Sequence, residues 1–171
     1  MHLPDLLPDV QFHALPQSEE ALRYSFEVKR AAMGPYIAER WGWDEAFQMQ
    51  MHQAHFGEKP FFKIVCDGRD VGTLSVMRLD DHIRFGEFYL FPDCQGKGLG
   101  TRVLQHCLSL ADEQELPVRL EHLKWNPVGS LYRRHGFAVV GETEIHWFME
   151  RPPMKPTARQ AGSQNHGARR E

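Results

Sequence analysis

The six residues Gln95-Gly96-Lys97-Gly98-Leu99-Gly100 are the stretch whose types and spacing most directly suggest chemistry. Glycine permits backbone angles and close approaches that a side chain would block. Directly after the loop, Val103, Leu104, Cys107, Leu108 and Ala111 recur at helical spacing, so the glycines open a helix. The first turn of a helix has amides without internal acceptors and about half a positive charge, which together favour an anion. A single glycine there would mean only a tight turn; three alternating glycines beside a lysine favour phosphate. Two familiar phosphate loops are excluded by spacing. Gly-x-x-x-x-Gly-Lys-Ser/Thr is absent, and Gly-x-Gly-x-Gly is not the dinucleotide pattern Gly-x-Gly-x-x-Gly.

The elements that must hold this loop can be read on either side of it. Ile83 to Phe91 is aromatic and branched, as strands are, and Pro92 ends it. Pro117 to Leu123 reads as a second strand, reached through the helix and therefore parallel to the first. Upstream, Val10 to Leu15 is a short strand. Ser18 then caps a helix with Leu22, Phe26 and Met33 on one face, expected to end at Gly34-Pro35. Asp44 caps a second helix, whose inner face is expected at Phe47, Met51 and Ala54. Phe61 to Cys66 and Val71 to Leu79 form a hairpin about Asp67-Gly68. A short helix over Pro127 to His135 precedes a closing pair, Phe137 to Val140 and Glu144 to Glu150, around Gly141. These elements give an α/β class, with a mixed sheet flanked by helices.

At 171 residues and 42% hydrophobic, the chain is sized for one domain, expected over residues 1–151. Residues 152–171 lack periodicity and read as a disordered basic tail. Five basic residues against one acidic from Arg151 onward leave −7 on residues 1–150 of the −3 total, so nucleic acid is not an expected partner. No apolar run approaches a membrane span of about 20 residues, and a cytoplasmic protein, monomeric or homodimeric, is expected. Cys66, Cys94 and Cys107 have no metal spacing and read as reduced core thiols, with Cys94 the more exposed. His52 and His55 lack the glutamate of a His-Glu-x-x-His site and read as a surface pair, so no metal is expected.

The loop resembles the Gln/Arg-x-x-Gly-x-Gly/Ala motif of the GNAT superfamily of acetyl-coenzyme-A-dependent N-acetyltransferases, with Gln95, Gly98 and Gly100 at its fixed positions. A second patch, Asn126 followed by Leu131-Tyr132-Arg133-Arg134-His135-Gly136-Phe137, resembles the family's Asn…Leu-Tyr-x-x-x-Gly-Phe, one residue shorter than in many relatives. The resemblance covers Val10 to Met149. It implies a mixed sheet with splayed central strands, acetyl-CoA as cosubstrate, and a cofactor site at Leu90, Phe91, Gln95, Gly96, Lys97, Gly98, Leu99, Gly100, Thr101 and Asn126. The backbone near Leu90 would stabilise the oxyanion, and Tyr132 would be the general acid for the thiolate.

Acyl transfer to an amine needs the amine neutral, yet an alkyl ammonium near pKa 10.4 is neutral about one time in a thousand at pH 7. Glu87 and Glu121, on the two central strands, are the candidate bases; Glu87 is preferred because the resemblance sets its strand beside the thioester. Trp41, Trp43, Asp44 and Glu45, on the connection between the first two helices, are read as the acceptor site: aromatic faces and carboxylates suit a cationic primary amine of a small molecule or peptide. A non-catalytic acyl-CoA sensor of the same fold is the alternative.

Overall fold

The computed structural model of the chain describes residues 2–155, so residues 156–171 of the anticipated tail lie outside the described residues. Seven strands, β1 (Val10–Ala14), β2 (Phe62–Cys66), β3 (Arg69–Arg78), β4 (Ile83–Leu90), β5 (Val118–Leu123), β6 (Ala138–Glu142) and β7 (His146–Arg151), form one sheet in the order β1-β2-β3-β4-β5-β7-β6. Every neighbouring pair is antiparallel except β4 and β5, which are joined by the crossover helix α3 (Leu99–Glu113) and run parallel. The turn between β2 and β3 is Asp67-Gly68, both at positive φ (50° and 75°), as a two-residue hairpin requires.

Helix α3 buries Val103, Leu104, Cys107, Leu108 and Ala111 against the sheet, the face its periodicity specified. Helix α1 (Glu19–Trp41) and helix α2 (Glu45–Glu58) follow β1, while α4 (Gly129–Arg134) links β5 to β6. The caps are those the sequence offered: Ser18 Oγ accepts from Ala21 N (3.2 Å) and Asp44 Oδ1 from Phe47 N (3.0 Å).

Five expectations are corrected. Helix α1 does not stop at Gly34-Pro35 but continues through it to Trp41. Proline in a helix costs about 3 kcal/mol, and the turn beyond it is held by tertiary contacts that offset this. Ile37 is buried, the Trp125 indole donates to Tyr36 O (2.9 Å), and Arg40 lies over the Trp125 ring at 4.4 Å. Helix α2 turns inward on His52 and Phe56, leaving Phe47, Met51 and Ala54 exposed. His52 is fully buried and Ser25 Oγ meets its Nε2 at 2.7 Å, so it is not half of a surface pair; burial, then the charge of Lys29, push it down to about 4 and keep it neutral. Cys94 is buried rather than exposed, in the 3-10 turn Pro92–Cys94. Finally, β6 turns into β7 at Thr143–Ile145, where Thr143 Oγ1 accepts from His146 N (2.9 Å), and Gly141 lies inside β6 at a register shift.

Candidate active site

The parallel contact between β4 and β5 is brief: Ile83 pairs with Val118 and Arg84 with Arg119, and nothing beyond. Past Arg84 the strands part, and a cleft of about 970 Å³ opens between them, floored by Phe85 to Leu90 and Leu120 to Leu123. A bulge in β4 drives the parting. Thr73 is opposite Tyr89 but Ser75 is opposite Gly86, so β4 has one residue more than β3 in that interval. The surplus bends the strand at Glu87, whose φ is +48°, a region that costs a side chain about 1–2 kcal/mol. Thr73 Oγ1 donates to Glu87 O (3.1 Å) and steadies the bend.

The bulge leaves β4 with free backbone groups on the cleft side. Phe91 N donates to Val71 O across the β3 edge (3.0 Å), so ladder alternation turns the Leu90 N–H to the opposite edge, where no strand pairs with it. Leu90 O faces the same way and accepts from Gln95 Nε2 at 2.8 Å. From that anchor the glycine loop climbs to α3. Gly96 and Gly98 have φ of 72° and 82°, and a Cβ on either would meet nothing within 4 Å. Loop amides from Gly96 to Thr101 find no acceptor among the described residues. An open cradle of unpaired N–H groups at a helix start suits a phosphate-bearing ligand.

Tyr132 closes the other wall. Its ring sits between His122 and Phe137, with centroids 5.8 and 5.7 Å away, and its hydroxyl has no protein partner among the described residues. Burial pushes the phenol well above its ordinary range, so it holds its proton at neutral pH. Asn126 also lines the cleft; its Oδ1 accepts from Val128 N (3.0 Å) at the approach to α4, while Nδ2 reaches Met33 Sδ (3.4 Å).

A family model described as the acetyltransferase (GNAT) domain matches residues 57–139, which contain the bulge, the cradle and Tyr132. Among solved structures, the chain is similar to the PaiA N-acetyltransferase of Thermoplasma acidophilum in complex with coenzyme A, with 18% identity and a TM-score of 0.67, covering 85% of this chain and 99% of that one. Residues 57–139 are a GNAT acetyltransferase domain. The ribosomal-protein-S18-alanine N-acetyltransferase of Escherichia coli shares the fold at 17% identity and a TM-score of 0.62, over 87% of this chain and 97% of its own. Ard1 of Thermoplasma volcanium does so at 17% identity and 0.58, over 86% and 100%. No curated protein matches the chain.

In this cleft the Glu87 carboxylate is almost fully buried, at 6% exposure, and is doubly engaged: Oε1 accepts from Lys59 Nζ (2.8 Å) and lies 3.3 Å from His55 Nδ1. Burial alone would raise its pKa, but the His55 hydrogen bond and the Lys59 ammonium outweigh that and hold it at about 2. Such a carboxylate is a weak base by itself. His55, half-buried and opening on the cleft, is the imidazole that Glu87 orients. Glu121, the other candidate base, is exposed on the cleft with Arg84 at 3.8 Å. Tyr89, between them on β4, has its phenol raised by burial and then by the charge of Glu87.

Of the residues anticipated from the sequence, Glu87, Leu90, Gln95, Gly96, Gly98, Gly100, Thr101, Asn126 and Tyr132 meet in this one cleft. Lys97 lies outside its lining with Nζ on Asp93 O (2.8 Å), Leu99 is buried in the core, and Phe91 packs edge-on against Tyr24. The expected acceptor segment is displaced as well. Trp41, Trp43, Asp44 and Glu45 do not line the cleft, because the extension of α1 past Pro35 carries them to its far end. There they serve structure: Trp41 stacks edge-on against Trp125, Trp43 packs on Phe26 and donates to Glu45 Oε2 (2.5 Å), Glu45 pairs with Arg30 (3.0 Å), and Asp44 caps α2.

Lys29 and Lys59, which also line the cleft, went unread in the sequence, and His55 was read only as half of a surface pair. One signal was available. Lys29 falls between Phe26 and Met33 on the apolar stripe of α1, where a lysine is out of place.

Proposed function

We propose that the chain is an acetyl-CoA-dependent N-acetyltransferase that acetylates the primary amine of a small molecule or peptide. The observation that supports it most is the single cleft in which unpaired loop amides, the free Leu90 N–H, Tyr132 and the His55–Glu87 pair converge. Acetyl-CoA supplies an activated acetyl group as its thioester. The amides of Gly96 to Thr101 hold its pyrophosphate at the start of α3. Leu90 N–H takes up negative charge developing on the acetyl oxygen, at a donor fixed in advance by the bulge.

The amine arrives as an ammonium and must lose a proton, a penalty of about 4–5 kcal/mol at neutral pH. His55 takes that proton, directly or through water, with Glu87 holding the ring and stabilising the imidazolium. Tyr132, kept protonated by burial, gives its proton to the departing thiolate. The solved structures named above support the reading in kind, since one holds coenzyme A and another is a ribosomal-protein-S18-alanine N-acetyltransferase.

The test is an acceptor panel of amines and peptides, with thiol release from acetyl-CoA as the readout. Turnover on at least one amine is expected. Tight coenzyme A binding without turnover on any acceptor would replace this reading with that of a non-catalytic acyl-CoA sensor.

A further inference from the structure

Lys29 is 8% exposed, lines the cleft from α1, and makes no hydrogen bond or ion pair among the described residues. Its nitrogen is not among the sealed polar atoms, which among the described residues are His52 Nδ1, His122 Nε2 and Arg151 Nε, so it opens on the cleft. The charges that act on it are those of Glu87 and Lys59. Glu87 is already taken by Lys59 and His55 through the same oxygen. Two ammonium groups therefore share one carboxylate, and this end of the cleft carries one positive charge too many.

A buried charge without a partner costs several kcal/mol. Sequences keep such a group where a ligand completes it. The ammonium of an acceptor is repelled here, so the missing group is an anion. The surplus is a single charge on a single lysine, which matches a carboxylate; a phosphate dianion would call for a second free cation. Resting on the N-acetyltransferase reading above, we propose that Lys29 binds a carboxylate of the acceptor, so that the substrates are amino-carboxylates: molecules bearing both the amine to be acetylated and a carboxylate. Burial also pulls the Lys29 ammonium below its ordinary range, and a bound carboxylate would reverse that pull.

The experiment compares matched pairs of acceptors, amino acids against their amides, by thiol release from acetyl-CoA, in wild type, Lys29→Met and Lys29→Gln. Wild type is expected to show a KM lower by about 10- to 100-fold for the carboxylate member of a pair, the worth of one charge-assisted hydrogen bond. Lys29→Met is expected to erase that preference and to leave the KM for acetyl-CoA within about twofold. With no acceptor present its melting temperature is expected to equal or exceed that of wild type, because a stranded charge is gone. Lys29→Gln serves as the second variant, with the same loss of preference. Equal KM for acid and amide in wild type, a preference for phosphorylated amines, or a preference that survives both substitutions overturns the assignment and leaves the N-acetyltransferase reading standing. Absence of turnover on every acceptor overturns both.

Discussion

Replacing Glu87 with glutamine keeps the shape of the side chain and removes the one anion that holds Lys59 and His55 in place. A carboxyl held at about 2 in the fold, against 4.5 in the open chain, contributes about 3 kcal/mol at neutral pH. The other route to the magnitude agrees, since breaking a buried pair by deleting one partner costs about 3–5 kcal/mol. Lys59, at 11% side-chain exposure, would then lie buried without its counter-charge. For a chain of this size the loss corresponds to a melting temperature lower by about 6–12 °C at pH 7. The pH dependence has a definite sign. Because the folded pKa is depressed, the contribution is complete above the open-chain value of 4.5 and drains away as pH falls toward 2. Melts of wild type and Glu87→Gln should therefore differ most at pH 6–8, draw together below pH 4 and converge only as pH approaches 2. A variant within about 1 kcal/mol of wild type at pH 7, or a gap of the same size at pH 3.5, would refute the argument. Adding Lys59→Met to Glu87→Gln should recover much of the loss, since it removes the stranded charge.

Gly98→Asp should leave the fold intact apart from about 1–2 kcal/mol of strain at φ +82°, and should abolish coenzyme A binding in calorimetry by setting a carboxylate in the cradle. Tyr132→Phe should lower kcat by about 10²- to 10⁴-fold while the Kd for coenzyme A changes little, as measured by steady-state kinetics alongside titration. Gly72→Ala should destabilise the chain by about 1–3 kcal/mol in urea unfolding, because its Cβ would come within 2.1 Å of Tyr89 O beside the bulge. Asp44→Asn should leave both stability and acceptor KM unchanged, since asparagine caps α2 equally well and the side chain is remote from the cleft.

The cofactor half of the site was legible because its signals are local. Glycines that need positive φ, a proline that stops a strand and a helix with one apolar face are each written within a few adjacent residues, and Gln95 to Gly100 carries them all. The placement of the early helices was not legible because its signals are long-range. Whether α1 ends at Gly34-Pro35 depends on Trp125, almost ninety positions later, whose indole and ring hold the turn after the proline. Once α1 runs on, the two tryptophans of the supposed connection move to its outer end and Lys29 takes the cleft. His55 illustrates the same limit. Its spacing from His52 invited a comparison of the two as a pair, yet one packs against Ser25 and the other reaches Glu87, a partition set by how α2 rolls on α1. The place of Glu87 on the cleft was legible but its state was not, because its low pKa comes from two residues at the end of a different helix.

The seam between β4 and β5 has a mechanical consequence. Strands β1 to β4 form one antiparallel meander and β5, β7 and β6 another, stitched together by two register pairs and the crossover helix. On the N-acetyltransferase reading proposed above, a cosubstrate seated in the gap would supply the missing rungs, and part of its binding free energy would go into fusing two half-sheets. The donor would then be a structural member as well as a reagent. Its occupancy should sharpen the unfolding transition, slow hydrogen exchange along the open edge of β4, and raise the melting temperature in proportion to the logarithm of its concentration. On that reading it would also set a sequence of events, since the walls proposed to receive the acceptor would be held at their working separation once the donor is in place.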